Sequence, residues 1–319
     1  MKIVGIGETV LDIVLRDGRA QAAVPGGSTF NAMISLGRTL GRRHPDIPLL
    51  MVTQTGDDAV SDLVLGFMER NGIRGDGVVR TPGQSTLSLA MLNAHGNARY
   101  EFFRDRDLPA FQAPDIPFGA DDFVLFGSFF AISPETREQA RLLVRRARES
   151  GATVYYDINF RKNHNAADSL PQIEENIALS TIVRGSSEDI EALYGTDDAA
   201  AVYARHIAPR CPHFICTRGA RETEVFSPGV HLHFPVPQDT AVVSTIGAGD
   251  NFNAGTLFAL VTAQSPKGVK TPAAPTAPAT GPALSGSDWQ RIVPVAHAFS
   301  ANVVASLYNY VDPGFDPGA

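Results

Sequence analysis

Short apolar runs alternate with longer stretches of helical spacing along most of the chain. The apolar runs lie at 2–7, 48–56, 122–128, 152–159, 180–186 and 213–219. They are apolar almost throughout, as parallel strands covered on both faces are. Helical spacing occupies 28–41, 57–71, 133–150 and 186–208. This repeated strand–helix–strand order predicts an α/β fold with a doubly wound, mostly parallel sheet flanked by helices.

One segment departs from this order. Residues 72–105 contain strand-like runs without a convincing helix, and 85–103 has the pattern of an antiparallel hairpin around 95–97. Together with strand-like residues near 10–24, it would form a small sheet that projects from the main domain. Two interpretations fit this pattern equally, a small β-sheet lid over a cleft and an ordinary edge hairpin.

The C-terminal part contains an insertion and a last helix. Residues 265–286 are rich in Pro, Ala, Gly and Thr and have no periodicity, which predicts a mobile surface insertion. A final helix is predicted from Ser287 or Asp288 to about Tyr310. We therefore expect one domain over 1–319, with a small sheet and one insertion.

Composition and charge narrow the class of protein. The chain has 319 residues, 44% hydrophobic and 19% charged, which is ordinary for a globular protein. A net charge of −7 argues against nucleic acid or an anionic membrane as the main partner. Apolar runs fall short of the ~20 residues of a membrane span, and the start of the chain lacks the features of a signal peptide. Two cysteines are too few for a disulfide framework. We expect a cytoplasmic enzyme or binding protein.

The strongest chemical signal is the stretch STIGAGDNFNAG, 244–255. Gly247 and Gly249 let the backbone approach a ligand closely, and the apolar spacing that follows predicts a helix from about Asp250. Free N–H groups at a helix start favour phosphate oxygens. A carboxylate would repel a phosphate there, but it is useful if it accepts a proton from an incoming hydroxyl. The turn alone equally fits an aspartate that caps a helix.

The order of motifs resembles the ribokinase-like (PfkB) carbohydrate kinases, in particular the fructokinase-like branch, over nearly the whole chain. STIGAGD resembles the D-T-x-G-A-G-D signature of that family, and VPGGSTFNAMISLGRTLG (24–41) resembles its Gly-Gly turn and Asn-containing helix. GETVLDIV (7–14) resembles its first strand and substrate-binding aspartate. The resemblance implies an ATP-dependent kinase that phosphorylates a primary hydroxyl of a sugar, with fructose or a related ketose expected. It implies ATP and Mg²⁺ as cofactors.

The resemblance also implies roles for individual residues. Asp250 would be the catalytic base, and the amides around Gly247, Ala248 and Gly249 would form an anion hole. The implied substrate-binding residues are Asp12, Gly26, Gly27, Asn31, Phe103, Arg104, Asp157, Asn159 and Arg161. The implied nucleotide-binding residues are Ser186, Thr217, Gly219, Ala220, Gly247, Gly249 and Asn302.

The residue types agree with these roles. A polyol needs donors and acceptors, which Asp12 and Asn31 provide, although alone they would be taken for a turn residue and a polar helix residue. Phe103 and Arg104 point to opposite faces of a strand, so we expect one of them to touch a ligand. The alternating residues Asp157, Asn159 and Arg161 would share one face at the carboxyl edge of a parallel sheet.

Three positions in two motifs depart from the family pattern and affect the expected metals. Ser186 and Asp189 stand where the family has the N-x-x-E motif associated with magnesium, so either Asp189 or Glu188 would order the waters of Mg²⁺. Ser244 stands where the family has an aspartate near a monovalent cation, which leaves dependence on K⁺ open.

His231 and His233 share a strand face compatible with two metal ligands, but no third ligand is identifiable, so an ordinary exposed face is expected.

Several alternatives remain at this point. Kinases of ribose, 2-keto-3-deoxygluconate or nucleosides share the expected fold, and so would a non-catalytic sensor of sugar or nucleotide. A nicotinamide-dependent oxidoreductase draws only on the doubly wound fold, and fold does not determine function. The expected partners are a small sugar and ATP, without nucleic acid or membrane, and a homodimer through the lid is a further hypothesis.

Overall fold

The computed structural model describes residues 1–92, 98–105, 107–160, 165–264 and 283–318. In chain order, the strands are β1 (Ile3–Ile6), β2 (Val10–Arg16), β3 (Arg19–Gly26), β4 (Leu49–Gly56), β5 (Ile73–Thr81), β6 (Leu87–Leu92), β7 (Ala98–Phe103), β8 (Phe123–Gly127), β9 (Thr153–Asp157), β10 (Ile182–Ser186), β11 (His213–Thr217), β12 (Glu222–Ser227) and β13 (Val230–Pro235). The helices are α1 (Ser28–Arg43), α2 (Ala59–Arg70), α3 (Arg137–Glu149), α4 (Ala166–Ala178), α5 (Ser187–Tyr194), α6 (Ala199–Val202), α7 (Ala248–Gln264) and α8 (Gly286–Val304).

A nine-stranded sheet forms the centre of the molecule. Its strand order is β13-β12-β11-β10-β9-β8-β1-β4-β5. Within this sheet, β11, β10, β9, β8, β1, β4 and β5 run parallel to one another. At the β11 edge, β12 pairs antiparallel with β11, and β13 pairs antiparallel with β12. The order changes direction at β1, where the chain first crosses towards β4 and later towards β8. The predicted doubly wound, mostly parallel sheet is therefore present.

Helices cover both faces of this sheet, and strand β8 shows why its strands are apolar throughout. All five of its residues are buried. Phe123 and Leu125 belong to the hydrophobic cluster that includes α1, α7 and α8, whereas Val124 and Phe126 belong to the cluster that includes α3. Successive side chains of a strand point to opposite faces, so a sheet with two covered faces needs apolar residues at every position.

A separate four-stranded sheet has the order β3-β2-β6-β7. Strand β2 pairs antiparallel with β3 and parallel with β6, and β6 pairs antiparallel with β7. Val14 and Ala90 are buried on this sheet, and Ile246 and Leu307 of the main domain pack against them. The small sheet thus packs beside the turn that precedes α7. The expected hairpin turn at 95–97 lies outside the described residues.

The structure divides the segment that we assigned to the small sheet. Residues 87–92 and 98–103 join it, but β5 is an edge strand of the large sheet and pairs in parallel with β4. The buried Ile73 anchors the start of β5. A Cβ at Gly77 would lie 2.5 Å from the carbonyl oxygen of Met51, so glycine allows β5 to follow β4 closely. Helix α2 supplies the crossover between these two strands, as parallel pairing requires.

The last helix, α8, ends at Val304, earlier than the sequence predicted. Residues 265–282, most of the expected insertion, lie outside the described residues. In the part of the chain that the structure describes, each helix is too short or too polar to span a bilayer.

Candidate active site

A cavity of about 950 Å³ opens at the carboxyl ends of the central strands. The large sheet contributes Arg184 and Ser186, and the small sheet contributes Val10, Asp12, Tyr100 and Phe102. The starts of α1 and α7 and one face of α8 complete the wall. The carboxyl edge of an open α/β sheet is the usual place for a ligand, so this cavity is the candidate site.

Asp250 lies in the first turn of α7, and two side chains from the first turn of α1 bind its carboxylate. Its Oδ1 accepts a hydrogen bond of 2.8 Å from Ser28 Oγ. Its Oδ2 accepts a hydrogen bond of 2.8 Å from Asn31 Nδ2. The starts of both helices favour a negative charge between them, because the helix dipole is positive at that end. The carboxylate therefore has a fixed orientation in the wall of the cavity.

The turn before Asp250 needs its glycines for conformation and for space. Gly247 has φ 76°, and a Cβ there would lie 2.7 Å from the carbonyl oxygen of Asn309. A Cβ at Gly249 would lie 2.9 Å from both terminal nitrogens of Arg184. Gly247, Ala248 and Gly249 line the cavity together with Asp250. The first N–H groups of α7 thus border the cavity, where they can bind an anion.

The guanidinium of Arg184 lies directly beneath this turn. Its Nη1 donates to Asp157 Oδ1 at 3.1 Å, and its Nη2 donates to Thr217 Oγ1 at 2.6 Å. Asp157 Oδ2 accepts a hydrogen bond of 2.8 Å from Asn253 Nδ2 and lies 3.4 Å from Ser28 Oγ. A chain of polar contacts therefore connects the strand ends of β9, β10 and β11 with the starts of α1 and α7.

Arg184 remains charged although it is buried. Burial by itself would lower the pKa of the guanidinium, but attraction to Asp157 and Asp189 outweighs it and raises that pKa above its usual value. A buried positive charge under the anion-binding turn makes the turn more electropositive. The sequence pattern did not indicate Arg184 or Ser28 as residues of the site. An arginine inside the apolar run 180–186 was the available signal for the first of them.

At the other end of the cavity, Asp12 is buried and lines the wall. It accepts hydrogen bonds from Ser88 Oγ and, at 3.0 Å, from Asn309 Nδ2. Gly26 lies behind it, and a Cβ at Gly26 would lie 2.3 Å from Asp12 Oδ2. Gly26 therefore makes room for the carboxylate, and Gly27 lines the cavity itself. Gly27 has φ 124°, in the region that favours glycine.

The buried Oδ1 of Asn31 has no hydrogen-bond partner among the described residues. Its amide orientation is set by Asp250, because a carboxylate accepts hydrogen bonds and so must face the Nδ2 group. An unpaired buried acceptor is unfavourable by about 1–3 kcal/mol. Asn31 lines the cavity, and a ligand hydroxyl that displaced the atoms covering Oδ1 and donated to it would remove this penalty.

The small sheet turns Phe102, and not Phe103, towards the cavity. Phe102 and Tyr100 line the wall, and their rings stack at 5.8 Å. Phe103 lies on the other face of β7 and is 51% exposed. The guanidinium of Arg104 packs over the rings of Phe102 at 5.0 Å and Phe129 at 4.1 Å, outside the cavity lining. Arg104 thus lies beside the aromatic wall.

The three alternating residues after β9 are placed differently from one another. Asn159 lines the cavity and has φ 35°. Asp157 is buried behind the wall, where Arg184 and Asn253 bind its carboxylate. Arg161 lies outside the described residues. The positive φ at Asn159 shows that β9 does not continue as a regular strand beyond Asp157.

Apart from Gly247 and Gly249 in the turn before Asp250, the predicted nucleotide-binding residues lie near the ends of β10 and β11, with one exception. Ser186, Thr217, Gly219 and Ala220 line the cavity. Asn302 does not line it, and its Oδ1 accepts a hydrogen bond from the backbone N–H of Asp312 at 2.8 Å. Helix α8 instead contributes four other residues to the wall, which are His297, Ser300, Ala301 and Val304.

His297 is a neutral side chain at this end of the cavity. Burial lowers the pKa of its imidazole to about 4. Its Nε2 lies 2.9 Å from Thr223 Oγ1, and its ring packs edge-on against Phe252. The wall that α8 presents therefore carries no positive charge at this position near neutral pH.

The acidic start of α5 provides two different carboxylates. Asp189 is buried and forms a capping box with Ser186, whose N–H donates to Asp189 Oδ2 at 2.7 Å. Asp189 Oδ1 accepts a hydrogen bond from the N–H of Phe160 at 2.8 Å. Burial raises the pKa of Asp189, and attraction to Arg184 opposes this shift. Both carboxylates line the cavity, and Glu188 is the exposed one of the two.

Comparison with known proteins gives a match over almost the whole chain. A family model described as "pfkB family carbohydrate kinase" matches residues 2–308. A fructokinase of Rhizobium leguminosarum bv. trifolii is 30% identical over 268 residues, 80% of this chain and 78% of that relative. An aminoimidazole riboside kinase of Salmonella typhimurium is 28% identical over 267 residues, 81% of each protein.

Solved structures show the same fold. The aminoimidazole riboside kinase from Salmonella enterica, complexed with aminoimidazole riboside and an ATP analog, has a TM-score of 0.80 at 22% identity, covering 99% of this chain and 97% of that one. A fructokinase from Vibrio cholerae O395, with fructose, ADP and a calcium ion bound, has a TM-score of 0.80 at 18% identity, covering 97% and 94%. The predicted family, fold class and enzyme class are confirmed.

Proposed function

Because the chain belongs to the pfkB family of carbohydrate kinases, we propose that it transfers the γ-phosphate of ATP to a primary hydroxyl of a ketose, with fructose as the expected acceptor. The observation that carries this proposal is the pairing of Asp250 with Asn31 in the wall of the cavity. A proton acceptor and an unpaired hydrogen-bond acceptor stand side by side, which suits a substrate that presents neighbouring hydroxyl groups. The similarity to a fructokinase at 30% identity supports the choice of a ketose.

In the proposed reaction, Asp250 orients the acceptor hydroxyl and takes its proton. Phosphoryl transfer usually passes through a loose transition state, so the hydroxyl becomes acidic only as the new bond forms. A carboxylate is then basic enough to take the proton of the hydroxyl, and its main contribution is to hold the hydroxyl in position. The hydrogen bonds from Ser28 and Asn31 supply that position.

The turn from Gly247 to Asp250 would stabilise the charge that develops on the transferred phosphoryl group. Backbone N–H groups aimed at a developing charge are effective because they do not reorganise during the reaction. Arg184 reinforces them from beneath, since its guanidinium packs against Gly249 and stays charged. We assign Arg184 a positioning and electrostatic role, because Asp157 and Thr217 hold its guanidinium against the turn.

The sugar would lie between the small sheet and α1. Asp12 supplies a buried carboxylate acceptor there, and Gly27 lets ring carbons approach the backbone. Tyr100 and Phe102 would cover the apolar face of the sugar ring. In this arrangement the small sheet acts as a lid that excludes water from the reacting groups.

A second candidate acceptor is a riboside that carries a flat heteroaromatic base. The stacked pair of Tyr100 and Phe102 offers an aromatic surface that suits such a base. The similarity to an aminoimidazole riboside kinase, at 28% identity, favours the same class of acceptor. Both candidates present a primary hydroxyl, so they share the proposed chemistry at Asp250.

Magnesium would neutralise the charge of the nucleotide phosphates when bound. The structure supports Glu188 as the residue that approaches its water shell, since the Asp189 carboxylate already holds Ser186 and Phe160. At the candidate position for K⁺, Ser244 offers a neutral hydroxyl, which accepts a hydrogen bond from the N–H of Ile246 at 3.2 Å. We propose that K⁺ is not required, because this position lacks a carboxylate.

An assay of ADP release with Mg-ATP and a panel of sugars tests the proposed function. The panel should contain fructose, ribose, 2-keto-3-deoxygluconate, a purine nucleoside and aminoimidazole riboside, each with and without K⁺. We expect fructose or another ketose to give the highest kcat/KM of the panel. If aminoimidazole riboside gives the highest kcat/KM, the second candidate acceptor is correct. Binding of a sugar without ADP release under every condition would instead indicate a sensor.

A further inference from the structure

Three side chains outside the cavity form a cluster that the proposed kinase reaction does not use. We propose that Glu224, His231 and His233 bind a divalent transition-metal ion of the zinc class at the edge of the large sheet. The sequence offered only the two histidines. The structure adds a third ligand from the neighbouring strand, and the three ligand atoms all lie within 4.8 Å of one another.

Strand pairing explains how the three residues meet. Strands β12 and β13 are antiparallel, with Glu224 opposite His233 and Phe226 opposite His231. The two histidines are two residues apart, so they share one face of β13, and that face is exposed. The opposite face of β13 carries Leu232 and Phe234, which pack against the hydrophobic core. The register therefore fixes the histidines on the outside of an edge strand, with Glu224 next to both.

The ligands are partly preorganised. His231 Nε2 lies 3.0 Å from Glu224 Oε2, and the His231 ring stacks on the buried ring of Phe226 with centroids 4.2 Å apart. The centroids of the two imidazoles lie 4.5 Å apart. Tetrahedral zinc separates its ligand atoms by roughly 3.3 Å, given metal–ligand distances of about 2 Å. The exposed His233 has room to make the small movement that closes the site.

Glu224 is held in place before a metal binds. Its Oε2 lies 3.0 Å from His231 Nε2. The other oxygen of Glu224 accepts a hydrogen bond from Arg218, so Oε2 is the oxygen that faces the histidines. A metal would replace the proton that His231 shares with Glu224.

Glu222 supports the second histidine from behind. Its Oε2 lies 3.1 Å from His233 Nδ1. A carboxylate only accepts hydrogen bonds, so Nδ1 carries the proton and Nε2 keeps its lone pair for a metal. A carboxylate that orients a metal-binding histidine in this way is a common outer-shell partner of zinc sites.

The ligand types select the metal. Two imidazoles and one carboxylate suit zinc, copper or nickel, whereas magnesium and calcium prefer oxygen ligands throughout. Three protein ligands leave one position of a tetrahedral ion for water. None of the three residues lines the cavity, so this ion would be distinct from the magnesium that accompanies ATP.

Arg218 connects the proposed metal site with the nucleotide end of the cavity. This residue stands between Thr217 and Gly219, which both line the cavity, and its guanidinium pairs with Glu224. Strand β13 also runs directly into Val236 and Pro237, which line the same wall. An ion that ties β13 to β12 would therefore stabilise this wall of the cavity.

Titration calorimetry of the full chain tests the proposal. The protein is treated with EDTA, dialysed, and titrated with ZnCl₂ in a buffer that does not chelate, without nucleotide. We expect one saturable site that the double substitution His231→Gln/His233→Gln abolishes. Glu222→Gln should weaken zinc binding by about 10- to 100-fold, as loss of an outer-shell partner does.

His206→Gln is the matched control. His206 Nδ1 lies 3.5 Å from Glu174, so it forms a histidine–carboxylate pair without a third ligand in the described part of the chain. This variant should bind zinc like the wild type. Zinc should also raise the melting temperature of the wild type and of His206→Gln, but not that of the double variant. Wild-type zinc affinity in the double variant, or the absence of a saturable site in the wild-type protein, would overturn the proposal.

Discussion

Asn31 donates a hydrogen bond of 2.8 Å to the carboxylate of Asp250, a residue 219 positions later in the chain. The two side chains belong to the first turns of α1 and α7, which pack against each other at the wall of the cavity. The bond leaves Asn31 Oδ1 buried and without a partner among the described residues. A substrate hydroxyl that donates to this oxygen would at the same time be next to the carboxylate.

Substitution of Asn31 tests this arrangement. Asn31→Ala removes both the bond to Asp250 and the acceptor, so kcat/KM for the sugar should fall by about 10- to 100-fold, the effect of one hydrogen bond to a charged group. Steady-state kinetics with the best sugar of the panel measure this change. Asn302→Ala is the control, because Asn302 does not line the cavity, and its kinetics should resemble those of the wild type. Equal losses in both variants would contradict a specific role for Asn31.

The neighbouring residues Phe102 and Phe103 offer a matched pair on opposite faces of one strand. Phe102→Ala should raise the KM for the sugar by about tenfold, because a buried aromatic contact contributes about 1–2 kcal/mol. Phe103→Ala should leave this KM unchanged, since Phe103 is half exposed outside the cavity. Measurement of KM for both variants decides the question. A larger effect at Phe103 would place the sugar on the other face of β7.

Arg184 is expected to support both folding and catalysis. Arg184→Met leaves Asp157 buried without its ionic partner, which should lower the free energy of unfolding by about 3–5 kcal/mol. Arg184→Lys keeps the charge but cannot bridge Asp157 and Thr217 in the same way, so stability should fall less. The lysine variant should therefore fold, with a kcat reduced by about tenfold for the loss of roughly 1.4 kcal/mol of charge stabilisation.

Urea denaturation and steady-state kinetics on both variants check this prediction. If Arg184→Lys showed wild-type kcat together with reduced stability, the role of Arg184 would be structural alone. If Arg184→Met matched the wild type in stability, the buried charge would not be needed to balance Asp157.

His297 predicts a dependence of stability on pH. Burial lowers the pKa of its imidazole to about 4 in the folded chain, whereas an unfolded histidine has a pKa near 6.5. Below pH 6.5 the unfolded chain therefore binds the additional proton, and folded stability falls as the pH drops from 6.5 towards 4. His297→Gln removes this contribution.

Unfolding measurements at pH 7.5 and pH 4.5 compare the wild type with His297→Gln. The variant is expected to be less stable at pH 7.5, and the difference should narrow by about 1–2 kcal/mol at pH 4.5, allowing for partial solvent screening. Carboxylates that titrate in this range affect both proteins equally and cancel in the comparison. If the difference in free energy of unfolding between the wild type and His297→Gln stayed constant with pH, His297 would have the same pKa in the folded and unfolded chain. That result would contradict the prediction.

The sequence predicted the parts of the fold and site that depend on local patterns. Buried parallel strands are apolar on both faces, so they stood out as continuous runs. The glycines before Asp250 indicated a turn that needs close backbone approach, which Gly247 and Gly249 indeed provide. Helix α4 was missed, because its polar start and the internal Pro171 hide the helical pattern.

Other features depend on contacts between distant parts of the chain. The choice between Phe102 and Phe103 is set by the register of β7 against β6, which no local pattern specifies. The contacts of Arg184 come from β9, β11 and the turn before α7, so its role is visible only after folding. The same holds for Glu224, which becomes a neighbour of the two histidines only through strand pairing.

The most direct test of the account is the turnover of Asp250→Asn. ADP release is measured with Mg-ATP and the best sugar for the wild type, for Asp250→Asn, and for Asp239→Asn as an exposed acidic control outside the cavity. We predict that kcat of Asp250→Asn falls by about 10²- to 10⁴-fold, as loss of a general base does, with folding and ATP binding retained. Asp239→Asn should behave like the wild type. A kcat for Asp250→Asn close to that of the wild type would contradict the assignment of Asp250 as the catalytic base.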